Sequence, residues 1–289
     1  MAGVYWYDGT WFTEEPKITG PMDHAFWLSS VVFDGGRAFG GVAPDLDRHA
    51  ARCVNSARKM LMQPRLTAEE IEALCREAIR RMGPKAELYV RPMFFVRKGL
   101  GAARPDPTST DFVLAVYDSP LPSFDTGFSA TLAPFRRPAP DMAPTDAKAA
   151  CLYPNGARAT AWAVERGFDN AVMCDALGNV AEFASANLMF AKDGVVVTPA
   201  VNGTFLNGIT RQRIIALLRA RGVEVQERRV TPEELETADE IFSTGNYAKV
   251  QPCTNYAGRR MQPGPLARQA RQLYFDWAEE NWRILPKAA

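Results

Sequence analysis

Histidine is scarce in this chain of 289 residues: there are two, His24 and His49. They cannot form HExxH, and neither accompanies a GxSxG serine, so zinc-protease and serine-hydrolase chemistry are disfavoured. No GxGxxG follows a strand, which disfavours a dinucleotide-binding fold. The five cysteines (Cys53, Cys75, Cys151, Cys174, Cys253) are odd in number and form no CxxC. They read as reduced thiols of a cytoplasmic protein. No apolar run approaches roughly 18 residues, so no membrane span is expected. The start, MAGVYWYDGTWF, lacks a basic segment followed by an apolar one and does not read as a secretory signal. A net charge of +1 gives no global field to attract nucleic acid or acidic lipid. Lysine is also sparse, at Lys17, Lys59, Lys85, Lys98, Lys148, Lys192, Lys249 and Lys287. A reaction that needs a nucleophilic amine therefore has few candidates.

What is present reads as alternating structure. VYWY, Asp8-Gly9 and TWF predict a hairpin. LDRHAARCVNSARKMLM and TAEEIEALCREAIRRM carry apolar residues at helical spacing, and Thr67 with Glu70 forms a capping box. ELYVRPMFFV and DFVLAVYD read as strands. Proline-rich sequence follows, with one strand, FSATLAPF, in its midst. NAVMCD, NVAEFAS, NLMFAK and GVVVTP are strands divided by turns at Gly178-Asn179 and Asp193-Gly194. Helices follow at ITRQRIIALLRARG, stopped by Gly222, at TPEELETAD and at LARQARQLYFDWAEENW. There is no regular βαβ series, so the fold class is α+β, with two domains. FLNGITRQRI leaves two readings open: Asn207 caps the helix, or an anion sits on its exposed amides.

Four fragments stand in a telling order: DAKAACLYPN at 146–155, GNVAEFASANL at 178–188, FLNGITR at 205–211 and DEIFSTGNYAKVQP at 239–252. With VVFDGGR, RCVNSA and YVRP from the first third, the set resembles the fold-type IV pyridoxal phosphate (PLP) enzymes. That group includes branched-chain, D-amino acid and (R)-selective amine transaminases and aminodeoxychorismate lyases. The resemblance covers most of the chain. It implies the two-domain fold of D-amino acid aminotransferase type. A small N-terminal α/β domain would span 1–119, a linker 120–126, and a larger C-terminal pseudo-barrel domain that binds PLP 127–289. It also implies a homodimer, with 98–104 reaching the partner's site.

By the same resemblance Lys148 is the catalytic lysine that bonds to the cofactor's aldehyde, with Lys249 the next candidate. Glu182 would keep the pyridine nitrogen protonated, and Tyr153 would meet the phenolic oxygen. Leu206 would lie on the ring face. Arg52, the amides of Ile209 and Thr210 and the Thr210 hydroxyl would seat the phosphate. Gly245, Asn246 and Tyr247 would approach phosphate and substrate carboxylate, although Asn-Tyr departs from the usual small pair there. Phe33, Gly35, Arg37, Tyr89 and Arg91 match the branched-chain pattern of substrate-binding residues. Leu28 departs from it by replacing a tyrosine. No metal is implied. The implied reaction is ping-pong transfer of an amino group from a branched-chain L-amino acid to a 2-oxo acid such as 2-oxoglutarate. An (R)-amine or D-amino acid transaminase comes second, and a non-catalytic PLP or metabolite binder third.

Overall fold

Asp8 and Gly9 adopt positive φ, 47° and 78°, and make the two-residue turn between β1 (Gly3–Tyr7) and β2 (Thr10–Phe12). The structure is a computed structural model and describes residues 2–101 and 103–287. Two units divide it. The first holds the chain up to Leu121, Ala147–Cys151 and the residues from Ala278 on; the second holds Pro122–Asp146 and Leu152–Trp277.

In the first unit follow α1 (His24–Leu28), β3 (Val31–Phe33), β4 (Gly36–Ala38), α2 (Leu46–Lys59) and α3 (Ala68–Met82). Then come β5 (Leu88–Val96), the small hairpin of β6 (Gly99–Leu100) and β7 (Arg104–Pro105), and β8 (Thr110–Asp118). The main sheet has the order β2-β1-β8-β5-β3, with β4 also on β5, and is antiparallel throughout. The expected cap of α3 is present: the Glu70 amide donates to Thr67 Oγ1, and the Thr67 amide donates to Glu70 Oε2. Both long helices bury one stripe, Leu46, Ala50, Cys53 and Ala57 on α2 and Ile71, Cys75, Ala78 and Ile79 on α3. Strand alternation sends Leu88, Val90 and Phe94 into the core and Tyr89, Arg91 and Met93 to the opposite face.

Residues 147–151 and the C-terminal end cluster with the first unit, and the rest of 127–277 with the second. Backbone pairing explains this: Ala149 bridges Val32, and the Gly41 carbonyl accepts from the amides of Ile284 and Leu285.

The second unit holds β9 (Phe128–Arg136), α4 (Tyr153–Val164), β10 (Asn170–Cys174), β11 (Val180–Phe183) and β12 (Asn187–Lys192). After β13 (Val195–Pro199) come α5 (Ile209–Ala220), β14 (Val225–Arg228), α6 (Pro232–Glu236) and β15 (Glu240–Gly245). The last elements are β16 (Lys249–Tyr256), β17 (Arg259–Arg260) and α7 (Pro265–Asn281), whose final turn lies past Trp277. Eight strands run β11-β10-β9-β16-β15-β12-β13-β14, and β17 pairs with β16. The sheet is mixed: β9 is parallel to β10 and β16, and β13 to β14. Val172, Phe183, Leu188, Phe190, Ile241 and Tyr256 are among its core residues. No described helix is long and apolar enough to cross a membrane.

Candidate active site

Lys148 is pinned on both sides of its backbone. Its amide donates to Ser56 Oγ at 3.0 Å, and its carbonyl accepts from the Phe33 amide at 3.1 Å. Its half-buried side chain places Nζ 4.9 Å from the centre of the Phe33 ring. That is not the setting of a solvated surface lysine. Ser56 follows Arg52 by one turn of α2, so one helix face serves both the lysine and the arginine.

Arg52 is held by Asp34, which its spacing in the sequence did not reveal. Arg52 Nε lies 2.7 Å from Asp34 Oδ2 and Nη2 2.9 Å from Oδ1, a bidentate clasp. His49 Nδ1 is 2.7 Å from Oδ1, and the Gly35 amide donates to the same oxygen. Burial pushes the Asp34 carboxyl up, yet the Arg52 guanidinium and His49 outweigh it and hold it well below the usual carboxylate range. A depressed folded-state pKa gives stability that is present above the unfolded value of about 4 and lost as pH falls through the folded one. We therefore expect Asp34→Asn to cost about 3 kcal/mol near neutrality, since two bases lose a buried anion. In denaturant melts of the two proteins that gap should hold from neutrality to about pH 5 and narrow below about pH 4. A constant gap down to acid pH would contradict the assignment.

One face of the first unit's sheet carries the other substrate-site candidates. Phe33 is opposite Met93, Arg37 opposite Tyr89, and Tyr89 opposite Tyr117, so all share that face. The Tyr89 and Tyr117 rings stack with centroids 5.7 Å apart. The Arg91 guanidinium lies 5.0 Å and 5.1 Å from those two ring centres and donates from Nη2 to the Tyr117 hydroxyl. Burial pushes the Tyr117 phenol up against the pull of Arg91 and Arg37, so it stays a neutral hydroxyl. Arg91 Nε is buried with no partner among the described residues. Tyr117 was not singled out from sequence; its strand-like run showed no sign of the stack. Arg37 is 0 % exposed and donates from Nη1 to Ser119 Oγ and from Nη2 to the Ser119 carbonyl. Gly35 is likewise buried, while Leu28 sits at the end of α1 in the open.

The second unit brings together the remaining candidates. Glu182, buried on β11, is met by Arg137 Nε at 3.2 Å from Oε1 and by Asn187 Nδ2 at 3.2 Å from Oε2. Asn187 also donates from Nδ2 to the Leu206 carbonyl at 3.0 Å and accepts at Oδ1 from the Gly208 amide at 3.1 Å. It thus ties the carboxylate to the turn that opens α5. A Cβ on Gly208 would lie 2.1 Å from Asn187 Oδ1, so any larger residue there would displace the Asn187 carboxamide.

The two readings of FLNGITR separate here. Gly208 is the N-cap of α5, and no side-chain cap is present. Asn207 turns instead to Arg211, accepting at Oδ1 from Nη1 at 2.9 Å. The amides of Ile209 and Thr210, with the buried Thr210 hydroxyl, thus open a helix whose first turn no side chain caps, a setting suited to an anion. Leu206 is half-buried beside them, while Tyr153, 40 % exposed at the start of α4, is no core tyrosine. Gly245, Asn246 and Tyr247 lead into β16, next to Thr244, whose buried hydroxyl has no partner among the described residues. Lys249 is wholly buried beside Asn246.

The donors in each unit fit part of PLP chemically: a lysine and an arginine in the first, and in the second a buried carboxylate suited to a ring nitrogen and an uncapped helix start suited to a phosphate. The amino-transferase class IV family model matches residues 31–256. The branched-chain-amino-acid aminotransferase of Pseudomonas aeruginosa is 32% identical over 303 residues, covering 99% of this chain and 98% of that protein. Among solved structures, a Brucella abortus aminotransferase bound to PLP superposes with a TM-score of 0.95 at 46% identity, over 96% of this chain and 100% of that one. A branched-chain aminotransferase from Thermoproteus uzoniensis, with norvaline, gives 0.88 at 29% identity, over 99% and 98%. With the match spanning most of its length, the chain belongs to the class IV amino-transferases.

Proposed function

We propose that this aminotransferase uses PLP to move the amino group of branched-chain L-amino acids to a 2-oxo acid such as 2-oxoglutarate. One observation carries the substrate class: Arg91, a cation whose buried Nε has no partner among the described residues, lies beside the stacked Tyr89 and Tyr117 rings on the sheet face that also bears Phe33. An arginine in an aromatic wall suits a carboxylate attached to an apolar side chain. The relatives named as branched-chain enzymes support the same reading.

When bound, PLP supplies an aldehyde that takes up the amino group and a ring that draws electrons from the substrate's Cα. Lys148 would hold the aldehyde through its Nζ and would move a proton to and from the substrate's Cα. Glu182, steadied by Arg137 and Asn187, would keep the ring nitrogen protonated. By the family resemblance Arg52 and the Ile209 and Thr210 amides would serve the phosphate, and Leu206 and Tyr153 would serve the ring. Assays with L-leucine, D-alanine and (R)-1-phenylethylamine as parallel donors test the proposal. L-leucine should react fastest; a faster (R)-amine would make this an amine transaminase.

The same reading makes the protein a cytoplasmic homodimer. Met22, Phe26, Trp27 and Leu28, on and just before α1, and Leu100 of the β6–β7 hairpin are exposed apolar side chains. His24 joins the two segments, with Nε2 3.2 Å from the Ala103 carbonyl. Of the segment 98–104 expected to reach a partner, Ala102 lies outside the described residues. Such a surface suits a second copy. Sedimentation should give a dimer, and a monomer at micromolar concentration would contradict this. The five free thiols suit a reducing compartment.

A further inference from the structure

Asn246, Tyr247 and Ala248 form a three-residue loop between Gly245 and Lys249, which face each other across β15 and β16. Loops of this length close on a residue in the left-handed region, usually glycine. Here that residue is Lys249, at φ 63°. A lysine accepts backbone strain there that glycine would avoid. Its side chain is nevertheless drawn fully inside. Nζ lies 2.8 Å from Asn246 Oδ1 and 5.4 Å from the centre of the Tyr274 ring. An ammonium has three donors and no acceptor, so only the oxygen end of the Asn246 carboxamide can face it. This fixes the polarity of Asn246 and holds Nδ2, a donor, at the other end. Arg271 of α7 fastens the loop a second time, donating from Nη1 to the carbonyls of Ala248 at 3.0 Å and Val250 at 2.7 Å.

We infer that Lys249 is a positioning residue: by holding the Asn246 oxygen it makes the Gly245–Tyr247 turn a donor surface selective for an anionic oxygen. This deepens the function proposed above and rests on it. A substrate carboxylate and the cofactor phosphate are the two possible sources of that oxygen. Lys249→Met keeps the stem and removes the donor. Asn246→Asp keeps an oxygen for Lys249 but replaces Nδ2 with a second anionic oxygen.

Both variants should raise one of two constants about tenfold, the size of a lost hydrogen bond to a charged group. A higher KM for amino acid and 2-oxo acid identifies the carboxylate. A higher Kd for PLP, from equilibrium dialysis of cofactor-depleted protein, identifies the phosphate. For Lys249→Met, kcat should stay within about threefold. Because Lys249 acts through Asn246, Lys249→Met combined with Asn246→Ala should be no worse than Asn246→Ala alone. Multiplying effects in that cycle, or unchanged KM and Kd in Asn246→Ala and Asn246→Asp, overturn the inference. The Asn246 variants decide the matter even if Lys249→Met fails to fold. A wild-type protein that transfers no amino group would instead defeat the proposed function itself.

Discussion

Replacing Lys148 with alanine is expected to lower amino transfer by at least about 10⁴-fold, the upper range for loss of a proton-transfer group. The variant should remain folded. The contacts that fix this segment are made by backbone: the Lys148 amide to Ser56, the Lys148 carbonyl to Phe33, and the bridge of Ala149 with Val32. None of them needs the side chain. What is lost is an amine beside the Phe33 ring, on the flank of the sheet face that bears Tyr89 and Arg91. Loss of turnover with an unchanged melting temperature is therefore the expected pairing. Retained turnover would remove Lys148 from the chemistry.

Glu182→Gln is expected to lower kcat by roughly 10²–10³-fold, the scale of removing one preorganised electrostatic contact. A glutamine has nearly the same shape but can accept from only one of Arg137 and Asn187, since its other terminal atom is a donor. It cannot supply the negative charge that keeps a pyridine nitrogen protonated. The fall should appear in kcat with every amino donor, because the ring nitrogen takes part whatever the substrate. A change confined to KM, or a kcat within about threefold of wild type, would show that Glu182 serves only to hold β11 against its neighbours.

Local signals carried much of the fold. The Asp8-Gly9 hairpin, the Thr67–Glu70 box and the stop of α5 ahead of Gly222 (φ 79°) depend on neighbouring residues alone, and each is present. The α+β class and the family resemblance also stand. Helix α4 was not legible, because YPNGARATAWAV has little apolar contrast and a glycine in its interior. Gly156 is there for packing: a Cβ would lie 2.7 Å from the Ala184 carbonyl. The order of fragments pointed to Lys148, Glu182 and the start of α5, but not to the residues that hold them. Asp34, Arg137 and Asn187 act through partners 18, 45 and 21 residues away, Arg52, Glu182 and Gly208. No periodicity connects such pairs. Lys249, which composition could offer only as a second amine, takes its meaning from a reversed backbone and a buried contact with Asn246.

The central claim is that Lys148 carries the cofactor. Borohydride treatment of the purified protein locks a pyridoxyl group onto the lysine that bears it, and peptide mass mapping then locates that lysine. The account predicts a single pyridoxyl label on Lys148. A label on Lys249 or any other lysine, or none on a protein that still transfers amino groups, would contradict it.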